Sequence, residues 1–212
     1  SNKYISTNRF NYASGRSVLQ VGRLFLAVFQ CCILFRMKIM KRYYAGIGSR
    51  STPDDILEIM SLLAQRLEGQ GLRLRSGGAE GADTAFEVGV KQPTTSQIFL
   101  PWSGFEGRVV SKSQPQFIDY RSLRASPQAR ESVEIFHPKP HMLKPGSKHM
   151  MARNAMQVLG PDLRSPSSMV IAYTPGGIET GGTAQALRIA RKYKIPIKNL
   201  GDDAMLESIL QY

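Results

Sequence analysis

From Lys41 onward, apolar and polar positions alternate between two periods. "RYYAGIGS" reads as a short strand that ends in glycines. In "TPDDILEIMSLLAQRLEGQG" the apolar Ile56, Ile59, Leu63 and Leu67 recur at helical spacing, which predicts a helix. Thr52 is placed to cap it, Pro53 suits its first turn, Asp54 and Asp55 sit at the positive end of its dipole, and Gly69 or Gly71 ends it. "LRLRSGG" predicts a second strand, "GADTAFEVGVKQ" a second helix and "SQIFLPW" a third strand. After a less regular stretch the pattern resumes with a strand in "SMVIAYTP", a helix in "TGGTAQALRIARKYK", a strand in "IPIKNL" and a short closing helix in "DDAMLESILQ". Strands that alternate with helices imply parallel pairing through crossovers. The expected fold is therefore an α/β, Rossmann-like three-layer sandwich with a mainly parallel sheet of five strands.

The interruption, residues 103–168, is rich in Pro, Ser and basic residues and reads as an insertion. It holds two plausible helices, "SPQARESVEIF" and "SKHMMARNAMQVLG". On the second, His149, Arg153 and Gln157 lie four apart with Asn154 beside them, a polar face suited to a base or a second phosphate, or simply to solvent. If that helix folds over the sheet edge, it closes a pocket there.

Residues 1–40 look foreign to the rest. They carry Lys3, Arg9, Arg16, Arg23, Arg36 and Lys38 and no acidic residue, so they supply half of the formal charge of +12. "LFLAVFQCCILF" is apolar but too short to span a bilayer. Met37 and Met40 stand just before the first strand, so the expectation is that translation starts at one of them and that residues 1–40 are a non-native or disordered leader; an interfacial anchor is the competing reading. The remaining charge, +6 from 22 basic and 16 acidic residues, attracts phosphates without declaring a DNA-binding protein. Adjacent Cys31 and Cys32 make no disulfide framework, and no zinc-ligand spacing is present, so no metal is expected. A cytoplasmic protein with no membrane partner is the expectation.

Three strands hand over to their helices through small or glycine-rich turns: "GIGSRSTP", "SGGAEGAD" and "TPGGIETGGT". In a parallel sheet all three lie at the carboxyl ends of the strands, where open α/β sheets bind ligands. Each following helix offers unpaired N–H groups and a partial positive charge there, and glycine lets a phosphate approach the amides. A phosphate-bearing ligand is therefore expected. There is neither a G-x-x-x-x-G-K-[ST] motif nor a G-x-G-x-x-G spacing after the first strand, which disfavours a P-loop ATPase and a standard dinucleotide dehydrogenase.

"GIGSRSTP", "LRSGGAEGAD" and "PGGIETGGTAQALRIA" together resemble the SLOG superfamily over about residues 41–200. That superfamily includes DNA-processing protein A (also called Smf), the lonely-guy phosphoribohydrolases and nucleotide-sensing domains. The chain is most similar to small, often phage-encoded proteins of the DNA-processing-protein-A-like kind. The resemblance implies a Rossmann-like domain that binds nucleotides or their derivatives, ADP-ribose-like ligands among them, requires no cofactor and often self-associates. It places Gly46, Gly48, Ser49 and Arg50 at the first turn. Ser76, Gly77, Gly78, Gly81 and Asp83 fall at the second, and Gly176, Gly177, Thr180, Gly181, Gly182 and Thr183 at the third. Arg50 would pair with phosphate or sit in solvent. Asp83 would accept from a ribose hydroxyl or cap its helix, and Thr180 and Thr183 would donate to phosphate or cap theirs.

The resemblance leaves the reaction open. Phosphoribohydrolases continue P-G-G-x-G-T-x-x-E, whereas Gln185 and Ala186 stand here where acidic residues would be expected, with Glu80 and Glu179 as substitute carboxylates. A single-strand DNA-binding mediator would need a basic groove with stacking aromatics. Its candidates are Arg73, Arg75, Lys112, Arg121, Arg124, Lys144 and Lys148, with Trp102, Phe105 and Tyr120. Binding of a nucleotide-type small molecule, for sensing or sequestration, is the favoured expectation.

Overall fold

Among the described residues the alternation of periods resolves into six strands and six α-helices. The computed structural model describes residues 42–179 and 181–210. The leader and Thr180 lie outside the described residues. The strands are β1 (Arg42–Gly48), β2 (Leu72–Ser76), β3 (Gln97–Leu100), β4 (Phe117–Asp119), β5 (Val170–Tyr173) and β6 (Ile197–Asn199). The helices are α1 (Asp54–Gly69), α2 (Ala82–Gly89), α3 (Ser126–Phe136), α4 (Pro145–Leu159), α5 (Gly181–Lys192) and α6 (Asp203–Leu210). Five strands are expected from the pattern and six form. The extra one, β4, has three residues behind a polar, proline-containing stretch and pairs along the edge of β3, so no apolar period announces it.

All strand pairings are parallel, in the order β4-β3-β2-β1-β5-β6. The chain builds outward from β1 to β4, then returns to lay β5 on the other side of β1. Strand order therefore reverses between β1 and β5, where Ala45 pairs with Val170 and Gly48 with Tyr173. At such a reversal the flanking connections leave to opposite faces and open a crevice at the carboxyl edge.

Side chains alternate across the sheet with the period of two that strands impose. Ala45, Ile47, Phe99, Val170 and Ala172 face one apolar core with α3, α4 and α5. Tyr44, Leu74, Ile98, Leu100 and Ile171 face the other, with α1, α2 and residues of α6. The sheet is thus the middle of three layers. The stretch read as an irregular insertion supplies α4, which packs on the sheet and is buried along Ala152–Leu159.

The boundaries differ in one instructive place. Thr52 does not cap α1: Pro53 holds the cap position, and the Thr52 hydroxyl donates instead to the carbonyl of Ser49 at 2.8 Å. Thr52 therefore folds the first turn back on itself. The tightest helix contact is between α1 and α2, at Gly89. A Cβ there would stand 2.1 Å from the Ser61 carbonyl oxygen, a backbone atom of α1 that cannot swing aside. Gly89→Ala is expected to cost about 1–3 kcal/mol by forcing the two helices apart, read as a lower urea midpoint.

Candidate functional site

The crevice at the strand-order reversal holds a cavity of about 380 Å³. Its rim comes from the first turn (Gly48, Ser49, Arg50, Ser51), from Thr174 and Pro175 after β5, and from Gly181, Gly182 and Thr183 at the start of α5. Its floor and far wall are Asp83 of α2 and Met150, Met151, Arg153, Asn154 and Gln157 of α4. All three glycine-rich turns therefore reach one space, the second through Ala79 and Asp83, and α4 closes it from the side.

Ser76 and the glycines of the second turn serve this cavity from behind. Ser76 donates its hydroxyl to the Gly46 carbonyl at 2.8 Å and is fully buried. A Cβ on Gly77 would fall 0.9 Å from Nη1 of Arg153, so the missing side chain is the space the guanidinium occupies. Gly81 has φ of 79° and packs against the backbone of Ser49 and Arg50. The glycines of "SGGAEGAD" admit a close approach, but what approaches is the protein's own arginine and its own first turn. Gly46 likewise gives way to the Phe86 ring. Neither Gly46 nor Ser76, Gly77, Gly78 or Gly81 lines the cavity, and neither do Gly176 and Gly177.

Arg153 and Asp83 are the charged pair at the floor. Arg153 Nη1 donates to Asp83 Oδ2 at 3.4 Å, and Asp83 Oδ2 also accepts the Ala79 N–H at 3.3 Å. Both side chains are more than nine-tenths buried. Burial pushes the Asp83 carboxyl up from the ordinary carboxylate value while Arg153 pulls it down; burial likewise lowers Arg153, against the support of Asp83. Asp83 is therefore engaged by a cation of its own chain, where the sequence leaves it either to a ribose hydroxyl or to a helix cap. Arg153 is under-coordinated: its contact with Asp83 is long, and its buried Nε has no partner. Gln157 Nε2, one turn further along α4, is a second buried donor with no partner. Both residues line the cavity, and each unpaired buried donor costs about 1–3 kcal/mol until an acceptor arrives.

The remaining polar groups are accounted for. Asn154 Nδ2 donates to the Gly182 carbonyl at 2.9 Å and so holds the start of α5 against α4. Asn199, which the sequence reading overlooks, accepts the Thr174 and Gly201 N–H groups and donates to the Thr174 hydroxyl at 2.7 Å, fixing the turn after β5. A lone Asn at a strand end gives no warning of this role. Arg50 reaches Glu106 at 2.6 Å, yet its side chain stays 57% exposed. His149 leaves the polar face that it shares with Arg153 by spacing: its Nδ1 meets the Tyr120 hydroxyl at 2.6 Å, and it borders a different hollow between α3 and α4.

Neither candidate carboxylate reaches the cavity. Glu80 is exposed, and Glu179 pairs with Arg191 on the surface side of α5. Asp83 is the carboxylate among the lining residues. Glu80→Gln and Glu179→Gln are accordingly expected to leave ligand affinity within about twofold and stability within about 0.5 kcal/mol, by calorimetric titration and urea melts.

Several candidates for a basic and aromatic groove are engaged within the fold, while Lys112, Arg124 and Lys144 are exposed. Phe105 and Tyr120 are buried, and Trp102 packs edge-on against Phe105 at 5.4 Å. Arg75 is also buried: it bonds Gln97, the Ser165 carbonyl and Ser167, lies 4.2 Å over the Tyr43 ring, and is lowered by burial to about 10. Arg121 is tied to Asp119 and Lys148 to Glu134. Among the described residues no three His, Cys, Asp or Glu side chains gather as metal ligands, and no helix is long and apolar enough to cross a membrane.

A second carboxylate on α2, Glu87, lies one turn beyond Asp83. Burial pushes it from the usual 4.5 up to about 7, against the pull of Arg108. The folded chain then holds this proton more tightly than the unfolded chain does. Stability falls as pH rises from about 4.5 to about 7, and the penalty is complete above that range. Between pH 5 and pH 8 the wild type is expected to lose on the order of 2 kcal/mol relative to Glu87→Gln, measured by urea denaturation at both values.

No protein-family model matches this sequence, and no curated protein matches it. Among solved structures the chain is similar to DNA processing protein A from Helicobacter pylori, a protein described for its single-stranded DNA binding mode. The likeness has a TM-score of 0.46 and 19% identity, and covers 74% of this chain and 64% of that one. The chain thus spans just under two thirds of that protein's length.

Proposed function

We propose that the chain binds a nucleotide or nucleotide-derived small molecule in the cavity at the strand-order reversal. One observation carries this reading. Arg153 and Gln157, each with a buried donor that has no partner (Nε and Nε2), line the same space as the amino end of the twelve-residue helix α5. Such a constellation is short of acceptors, and a phosphate supplies several at once. The phosphate is best served at Gly181–Thr183, where free N–H groups and the helix dipole coincide, with Arg50 able to swing from Glu106 as a second cation. The methionines of α4 offer an adaptable apolar wall for a ring.

Binding without cleavage is favoured because the lining carboxylate is Asp83, already engaged by Arg153. Hydrolysis of an N-glycosidic bond would need a carboxylate available to activate water or to stabilise the developing cation. A phosphodiester of a single strand would use the same cradle, and that is the reading to separate experimentally. Small molecules released on denaturing protein purified from cells are expected to include an intact nucleotide, identified by mass spectrometry. A free base together with a ribose phosphate would overturn binding in favour of cleavage.

A further inference from the structure

A second cavity, of about 240 Å³, lies between α2 and the β3–β4 edge, away from the site at the strand-order reversal. Among the described residues nine buried side-chain polar atoms lack a partner, and three of them belong to residues that line this one hollow. They are Glu87 Oε1, Ser96 Oγ and Gln116 Oε1. Ser96 is only 5% exposed. All three are able to accept a hydrogen bond; Gln116 Oε1 can only accept, and Glu87 Oε1 does the same once its carboxyl is ionised.

Arg108 does not answer them. Its three side-chain hydrogen bonds go to Glu87 Oε2 at 3.1 Å, the Thr84 hydroxyl at 3.0 Å and the Glu106 carbonyl at 3.3 Å, and none reaches the three bare atoms. It meets Glu87 through Oε2 and leaves Oε1 without a partner. The hollow is thus electrically balanced yet rich in acceptors. Its other walls are apolar: Ile98 and Phe117 from the sheet, with Val88 and Pro93. Val88 is 73% exposed and lies at the open side. A single water fills about 30 Å³ of liquid, far less than this space.

We infer that this hollow binds a small, uncharged, planar heterocycle bearing an exocyclic amino group, the chemistry of a nucleobase such as adenine or cytosine. The ring lies against Phe117 and Ile98, and the amino group donates to Glu87 Oε1 and Gln116 Oε1. The Ser96 hydroxyl, which can donate or accept, meets a ring nitrogen or a ring N–H. A cation is disfavoured by Arg108, and a phosphate is disfavoured by the bare carboxylate oxygen.

The test is amide-resolved NMR titration of the full chain with adenine, cytosine, unsubstituted purine and a short single-stranded oligodeoxyadenylate. Shifts centred on Val88, Ser96 and Gln116 are expected with adenine and cytosine, with purine weaker by about tenfold for want of the amino donor. Shifts at the same amides with the oligonucleotide alone would support the same chemistry, with the base supplied by a strand. Gln116→Leu, on the short edge strand side, is expected to weaken adenine by about tenfold. Purine binding as tightly as adenine would overturn the inference. So would the absence of shifts with every probe, which would assign the bare acceptors to water. The contrast between adenine and purine is read on the unaltered chain, so it stands even if the variant misfolds.

Discussion

Asp83→Ala is expected to destabilise the fold by about 3–5 kcal/mol, the usual cost of stranding one member of a buried ion pair. The alanine leaves Arg153 charged, buried and without its one hydrogen-bonding partner. The guanidinium cannot retreat to water: it occupies the volume above Gly77 and lies 5.8 Å over the Phe105 ring. Removing both charges is milder, so Asp83→Ala combined with Arg153→Met should recover most of the loss while abolishing ligand binding. Urea denaturation of the two variants measures this. A single-variant loss below about 1 kcal/mol would mean that the pair is hydrated and that the floor of the cavity is wet.

Thr183→Glu is expected to reduce phosphate-ligand affinity by about 100-fold or more without lowering stability. A carboxylate in the first turn of α5 competes for the same N–H groups and repels a phosphate at close range. For the helix itself that charge is favourable by about 0.3–1 kcal/mol, so the melting temperature should hold or rise. Few substitutions at a binding site part affinity from stability in opposite directions. Calorimetric titration beside a thermal melt reads both. Unchanged affinity would move the phosphate away from α5.

The layered fold was legible because strand and helix periods are strong and alternate without interruption from Lys41 to the short stretch after "SQIFLPW". The parallel sheet, and with it the gathering of the glycine-rich turns along one edge, followed from that order. What stayed hidden was strand order: no local pattern says that the chain returns to the far side of β1, and the crevice exists only because it does. The role of α4 was half legible. Spacing put Arg153 and Gln157 on one face, but whether that face met solvent, ligand or core depends on where the helix lands on the sheet. The glycines of "SGGAEGAD" suggest room for a ligand, and the structure fills that room with the protein itself: Arg153 above Gly77, Arg108 and Leu100 beside Gly78, and the first turn against Gly81. A sequence marks close approach by the lack of a Cβ, but it does not say what comes close. Thr52 shows the same limit at a smaller scale, since a hydroxyl before a helix caps it in one backbone geometry and braces a turn in another.

The most direct test of the account is a calorimetric titration of the full chain with AMP, ADP and ADP-ribose, set beside a single-stranded oligonucleotide at two salt concentrations. The account predicts saturable binding of at least one of the small ligands at one site per chain, lost in Thr183→Glu. Binding of the oligonucleotide alone, falling steeply as salt rises, would contradict it and make the cavity a strand-binding cleft.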